Sequence, residues 1–189
     1  GFFSAKIGRE IEFGESGHWA TLRFIIDEGP RYRVKNVSVV GARKFPASEL
    51  QAKLELKGGD FFDQGTMQRD VLAMQDKYGV QGYIYCSVQP DLRFQETMGE
   101  VDLVYQLDER ERYRIARVDV RIEGDDPHTR MNTVLNRIDQ RPGDIVNSKK
   151  LRDSERRLSG SGLFQTNPAQ GNPPKISYAP AEETTLTAE

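Results

Sequence analysis

The chain has 189 residues, with 37% hydrophobic and 30% charged residues and a formal net charge of −2. A nearly neutral chain has no overall field that would attract nucleic acid or an anionic membrane, and no apolar run approaches the roughly 20 residues that a membrane-spanning helix needs. The first residues lack the basic and apolar regions of a signal peptide, and the single cysteine, Cys86, excludes an internal disulfide.

The start of the chain resembles a segment that lies 81 residues later. "GFFSAKI" at the N-terminus matches "GYIYCSV" at Gly82 to Val88. Apolar positions then stay in phase as far as "RYRV" at Arg31 to Val34, which matches "RYRI" at Arg112 to Ile115. A fixed period of this kind indicates a repeat. We therefore expect three copies: the C-terminal part of a domain in residues 1–29, a complete domain in 30–109, and a domain in 110–189 whose last strand is uncertain or missing.

The complete copy begins with a predicted strand and helix. Val37 and Val39 alternate with polar neighbours, which is the period of a half-buried strand. Pro46 suits the first turn of a helix, in which Leu50 and Leu54 lie one turn apart. The matching positions of the third copy are Val118, Val120 and Ile122 for the strand, and Met131, Val134, Leu135 and Ile138 for the helix.

A second helix is predicted after Gly58 and Gly59 interrupt the chain. Its apolar residues recur at spacings of four, three and four, and Gly79 fits a C-cap. Asp60 and Asp63 precede the helix, and capping explains at least one of them. The apolar residues of this helix are Met67, Val71, Met74 and Tyr78.

Two further strands complete the copy. Ile84, Cys86 and Val88 return to period two, and Pro90 is expected to end or bulge this strand. A polar loop, 95–100, joins it to a last strand, so the two strands should pair antiparallel. The last strand has its apolar residues at Val101, Leu103, Tyr105 and Leu107.

The order β-α-α-β-β defines an α+β fold class. Each strand has one apolar face and both helices are amphipathic, so each module should be a three-stranded mixed sheet covered on one face by two helices. The chain is then a tandem array of such two-layer modules. The edges of each sheet offer unpaired main-chain groups.

This order, the "GYI" entry to the second strand, and the segments "EGPRYRV" and "ERERYRI" between copies resemble POTRA domains. Tandem copies of this kind are similar to the periplasmic part of BamA-type outer-membrane assembly proteins. The resemblance implies a periplasmic module that the parent protein joins to a C-terminal β-barrel. It implies unfolded outer-membrane proteins and accessory assembly lipoproteins as partners. From charge and residue spacing alone we expect no nucleic acid, cofactor or metal. The final stretch, "QTNPAQGNPPKISYAPAEETTLTAE", departs from the pattern because its last strand is not evident.

The resemblance also implies that the second strand lies at a sheet edge, where a client peptide or partner can add a strand. Tyr83 and Tyr85 could flank such a peptide, or simply reflect the β-propensity of a half-exposed sheet. Cys86 matches Ala5, which favours a small buried residue over a reactive thiol. The candidate peptide-binding residues are Tyr83, Ile84, Tyr85, Cys86, Ser87 and Val88.

Nothing in the sequence indicates an enzyme. The chain has no Gly-rich phosphate loop and no nucleophile elbow, and His18 and His128 share no metal-ligand spacing. Two alternatives to a peptide-binding role in outer-membrane assembly stay open. The chain could belong to a related secretion transporter, or it could be a structural spacer that binds nothing by its edges.

Overall fold

A computed structural model describes residues 3, 5–13, 18–122, 129–164 and 173–179. The chain divides into two compact units, which are described separately below. The first unit consists of Gly1–Met74 and Ser87–Asp108, and the second consists of Gln75–Cys86 and Glu109–Glu189.

The first unit begins with an antiparallel hairpin of strands β1 (Lys6–Phe13) and β2 (Ala20–Asp27). Every residue of both strands is exposed. Arg23 lies on one face of the hairpin and forms ion pairs of 3.3 and 3.2 Å with Glu10 and Glu12. The other face is mostly apolar, with Arg9 opposite Phe24 at its centre, and its large apolar residues are Ile7, Ile11, Phe13, Leu22, Phe24 and Ile26.

A three-stranded sheet follows, built from β3 (Arg33–Val40), β4 (Ser87–Phe94) and β5 (Glu100–Asp108). The strand order is β3-β5-β4, with β3 parallel and β4 antiparallel to the central strand β5. Helices α1 (Ala47–Ala52) and α2 (Gln64–Gly79) supply buried apolar residues of the core, and α2 runs from the first unit into the second. The predicted α+β class and mixed three-stranded sheet are confirmed.

The second helix begins where the sequence predicts it. The carboxylate of Asp63 accepts hydrogen bonds from the backbone N–H of Thr66 at 2.6 Å and from its hydroxyl at 2.7 Å. These bonds hold the pKa of the Asp63 carboxyl below its ordinary value of 3.8. Asp60 instead closes the preceding turn by accepting the backbone N–H of Lys57 at 2.9 Å.

Because the Asp63 carboxylate caps α2 in its charged form, the stability of the fold should depend on pH. Because the pKa of Asp63 is lower in the folded than in the unfolded chain, its contribution to stability is present above about pH 4 and is lost as the pH falls through the lowered value. Asp63→Asn keeps an N-capping oxygen that does not titrate, so we expect similar stability near neutral pH and a shallower loss in acid. Urea unfolding of both proteins at several pH values checks this. Parallel stability curves would contradict it.

A buried carboxylate joins the helical layer to the sheet within the first unit. Asp70 is 2% exposed and accepts the backbone N–H groups of Glu55 at 2.7 Å and Leu56 at 3.1 Å. The hydroxyl of Tyr105 donates to the same carboxylate at 3.2 Å. Burial, with the Asp70 charge beside it, raises the pKa of Tyr105, so the phenol stays protonated as the donor. Three donors therefore satisfy a carboxylate that would be costly to bury alone.

The second strand starts later than the sequence predicts. Gly82 has a positive φ of 97°, and the turn after it is closed by hydrogen bonds from Tyr83 N–H to Tyr78 O and from Cys86 N–H to Tyr83 O. These bonds keep residues 83–86 out of a ladder, so the predicted strand at Ile84 and Cys86 is wrong and β4 begins at Ser87. Pro90 also does not end the strand, because it lies inside β4 opposite Tyr105.

The same hydrogen bonds recur in the two units, which supports the repeat in the sequence. In the first unit Val34 N–H donates to Asp60 O at 2.9 Å, and Gly59 N–H donates to Val34 O at 2.7 Å. In the second unit Ile115 N–H donates to Asp144 O at 2.9 Å, and Gly143 N–H donates to Ile115 O at 2.7 Å. The helix caps also match, since Asn147 accepts the N–H of Lys150 at 3.0 Å as Asp63 accepts that of Thr66.

Among the described residues, the second unit buries fewer apolar side chains than the first. Its helices α3 (Met131–Leu135) and α4 (Ser148–Ser159) contribute to a buried cluster of Val134, Ile138 and Leu158. Met131, predicted on the buried face, is 54% exposed. No helix among the described residues is both long and apolar enough to cross a membrane.

The predicted first strand of the third copy is only partly correct. Val118, Val120 and Ile122 pack against the buried cluster, as their alternation predicts. However, residues 116–122 form no strand, and no described residue pairs with them. The physical reason is visible in the first unit, where the first strand β3 pairs with the last strand β5. The last strand of the third copy would fall at or beyond residues 180–189, which lie outside the described residues.

Candidate functional site: an open sheet edge

Strand β4 is the more open of the two sheet edges. β4 pairs with β5 over its whole length, and no described residue pairs with its other side. The opposite edge strand, β3, is partly covered: Val34 exchanges two main-chain hydrogen bonds with Gly59 and Asp60, and Arg33 forms a bridge to Phe61. The segment "GGDFF" therefore blocks the start of β3, whereas no part of the chain that the structure describes pairs with the outer edge of β4.

Successive residues of β4 direct their main-chain N–H and C=O groups alternately toward β5 and away from the sheet. Gln95, one residue beyond β4, donates its N–H to Glu100 O at 3.2 Å, so odd-numbered residues direct their main-chain groups toward β5. Even-numbered residues then direct theirs away from the sheet. The outward N–H groups belong to Val88, Leu92 and Phe94, and outward carbonyls belong to these residues and Pro90.

Pro90 fits this arrangement because its missing N–H falls on the open side, where no ladder bond is lost. The strand therefore tolerates a proline in its middle. The same proline leaves one fewer outward N–H group on β4 to which an added strand could hydrogen-bond. The N–H of Ser87 points inward by the same alternation, so proline at Ser87 would disturb the module itself rather than its open edge.

Side chains along β4 carry little net charge. Asp91 and Arg93 form an ion pair of 3.0 Å, and Gln106 donates to Asp91 at 3.2 Å. At the end of the strand Phe94 is 54% exposed, and its ring lies 5.2 Å from that of Phe3 and 5.4 Å from that of Tyr32. The edge thus joins an ion pair whose charges balance to a partly exposed aromatic group.

The residues predicted for peptide binding are only partly on this edge. Ser87 and Val88 are the first residues of β4, but the four before them lie in the turn. There Cys86 is buried, Tyr83 packs against Tyr78 at 5.9 Å, and the ring of Tyr85 lies 5.1 Å from that of Tyr113. Sequence reasoning missed the edge positions from Gln89 to Phe94. Pro90 was the available signal, because a proline inside a strand marks an edge.

Other kinds of site are not seen in the described part of the chain. No group of three or more His, Cys, Asp or Glu side chains there is arranged to hold a metal ion. Trp19 is 78% exposed.

Comparisons with known proteins agree with this geometry. The POTRA family model, described as "Surface antigen variable number repeat", matches residues 32–110. The outer membrane protein assembly factor BamA of Neorickettsia risticii is 26% identical over 166 residues, covering 87% of this chain and 22% of the relative. BamA of Neisseria meningitidis serogroup B is 28% identical over 185 residues, covering 93% of this chain and 23% of the relative.

A solved structure shares the fold. The crystal structure of POTRA domains 3–5 of Haemophilus influenzae BamA has a TM-score of 0.71 at 21% identity, covering 88% of this chain and 65% of that one. The two-layer β-α-α-β-β unit with its open edge strand matches the POTRA family model over residues 32–110, and the chain as a whole is similar to POTRA-containing assembly factors of the BamA type. It spans about a fifth of the length of the curated relatives that it matches.

Proposed function

We propose that this chain is part of a periplasmic scaffold that assembles outer-membrane proteins. The proposal is supported by relatives whose names state outer membrane protein assembly and which match most of this chain. Its organisation would be the C-terminal part of one POTRA domain in residues 1–29, a complete domain in 30–109 and a further domain in 110–189. A β-barrel elsewhere in the same polypeptide would attach it to the outer membrane.

Within that role, the open edge of β4 binds extended segments by strand addition. The observation that carries this proposal is the row of outward main-chain groups at Val88, Leu92 and Phe94, beside which no described residue pairs. An added strand would form its hydrogen bonds with main-chain groups, which every peptide possesses. Unfolded outer-membrane proteins, which differ in sequence but share β-strand character, are suitable clients. Accessory assembly lipoproteins could use the same edge.

Binding at this edge should be weak and reversible. Each net hydrogen bond contributes about 0.5–1.5 kcal/mol, and ordering a flexible peptide offsets much of the sum. Pro90 withholds a donor from the middle of the row. An edge that releases clients readily suits a scaffold through which many different chains pass. The proline also protects the exposed edge from pairing with copies of itself.

Replacing Pro90 tests the proposal. Pro90→Thr adds an outward N–H to a residue whose side chain is exposed, so we expect an extended amphipathic peptide to bind about 2- to 12-fold more tightly, the equivalent of one hydrogen bond. Gln89→Thr is the matched control. It introduces the same side chain at the exposed neighbouring position, where the N–H points inward in both proteins.

Isothermal titration or fluorescence anisotropy with a labelled strand peptide measures the three affinities. Tighter binding to Pro90→Thr alone would support strand addition at β4. Equal affinities of Pro90→Thr and the wild type would contradict it. No binding to either would favour the structural spacer.

A further inference from the structure

The apolar and polar side chains of β4 lie on opposite faces of the sheet. Its sequence, "SVQPDLRF", alternates strictly, with polar residues at odd-numbered positions and apolar residues at even-numbered positions. The even-numbered residues lie opposite four core residues of β5, each at most 6% exposed: Val101, Leu103, Tyr105 and Leu107. The odd-numbered residues lie opposite Asp102, Val104, Gln106 and Asp108. We call the first face of β4 its helix-side face and the second its polar face.

The residues of β4 that direct main-chain groups outward are the same residues that carry the apolar side chains. Val88, Leu92 and Phe94 point their N–H and C=O groups away from the sheet, and their side chains lie on the helix-side face. In an added antiparallel strand, a residue bonded to one of them would lie directly opposite it, with its side chain on the same face. Hydrogen-bond register and side-chain face are therefore coupled, and a shift of one residue would exchange the two faces of the added strand.

An added strand would meet accessible side chains on both faces of β4. On the helix-side face Leu92 is half-buried and Phe94 is 54% exposed. On the polar face Asp91 and Arg93 form their ion pair of 3.0 Å. An apolar residue placed beside Leu92 would be removed from water, whereas a polar residue there would lose hydration without gaining a partner. On the polar face the preference is reversed.

We propose that the β4 edge selects strands in which apolar and polar residues alternate, and that it binds them in one phase. This inference rests on the strand addition proposed above. In that phase the apolar residues of the added strand lie beside Leu92 and its polar residues lie beside Arg93. Strands of a membrane β-barrel alternate in this way, with one row of side chains toward lipid and the other toward the interior. A helix that is apolar on all sides lacks the alternation, so the edge favours barrel segments over such helices.

Two peptides of equal composition test the selection. Each is as long as the eight-residue strand β4. In one peptide leucine and threonine alternate, and in the other all the leucines precede the threonines. A matched cross-strand pair raises affinity about 1.4- to 5-fold, so we expect the full chain to bind the alternating peptide about 3- to 10-fold more tightly. Isothermal titration measures the ratio. Equal affinities, or tighter binding of the segregated peptide, would overturn the proposal.

Leu92→Thr tests whether the helix-side face makes the selection. The variant removes the apolar side chain that an added strand would contact, but it keeps a β-branched residue and the outward main-chain groups. We expect the preference for the alternating peptide to fall at least about twofold. Gln89→Thr is the matched control, because it places the same side chain on the polar face and should keep the wild-type ratio. A preference that Leu92→Thr leaves unchanged would contradict the role of this face.

Disulfide cross-linking tests the phase independently of affinity. In an added antiparallel strand, the residue opposite Arg93 would be a non-hydrogen-bonded neighbour with its Cα about 4.5 Å away, which is within the range of a disulfide. An Arg93→Cys chain should therefore cross-link to an alternating peptide in which cysteine replaces one threonine. The product should be lost when cysteine replaces a leucine instead. Cys86 is buried and present in both reactions, so equal yields from the two peptides would overturn the single phase.

Failure of the selection and failure of strand addition give different results. If Pro90→Thr tightens the binding of both peptides and the wild type does not distinguish them, strand addition stands and the selection is wrong. If Pro90→Thr changes the affinity of neither peptide, strand addition at β4 is wrong and the selection falls with it.

Discussion

Replacing Met74 by aspartate is expected to unfold the POTRA domain that spans residues 32–110. Met74 is 3% exposed in the core, so Met74→Asp would bury a charge with no partner. A substitution of this kind costs about 4 kcal/mol or more, which is comparable to the total stability of a small domain. Circular dichroism and urea unfolding would show the loss of the cooperative transition of this domain.

Leu72 provides the control on the same helix. It is 53% exposed, so Leu72→Asp places the same charge in water and should change the free energy of unfolding by no more than about 0.5 kcal/mol. If both variants melted alike, the face of α2 that we assign to the core would be wrong.

A proline at position 89 is expected to damage the sheet that tolerates the natural proline at position 90. The N–H of Gln89 points toward β5, opposite Gln106, so Gln89→Pro removes a ladder hydrogen bond and leaves a carbonyl without its donor. The loss should destabilise the domain by about 1–3 kcal/mol. Chemical denaturation followed by circular dichroism measures the change.

Pro90→Ala is the control for this prediction. It restores an N–H that faces solvent and should change stability by no more than about 1 kcal/mol, mainly by loosening the unfolded chain. Equal stability of Gln89→Pro and the wild type would show that the alternation of inward and outward groups along β4 is assigned in the wrong phase.

The fold was predictable because several independent signals agreed. The spacing of Met67, Val71 and Met74 predicts α2, and the structure buries all three. Asp63 predicts its first turn and caps it. The repeat predicts a similar arrangement in the third copy, which appears in the matching hydrogen bonds of Val34 and Ile115.

The edge was less predictable because local turn chemistry overrides strand alternation. Ile84 and Cys86 alternate like strand residues, yet the positive φ of Gly82 and the bond from Tyr83 to Tyr78 divert the chain into a turn. The first residue of a strand depends on where hydrogen bonding to a distant strand begins. The alternation of apolar and polar residues along the sequence does not determine that point. Residues 116–122 show the converse, since apolar alternation without a pairing strand leaves the segment outside a sheet.

An NMR titration of the isotope-labelled chain with an extended amphipathic peptide tests strand addition most directly. The largest amide shifts should occur at Val88, Leu92 and Phe94, whose N–H groups point outward. Amides of the covered start of β3 and of α1 should change little. Shifts confined to the helices, or no shifts at millimolar peptide, would contradict the assignment of β4 as the binding edge.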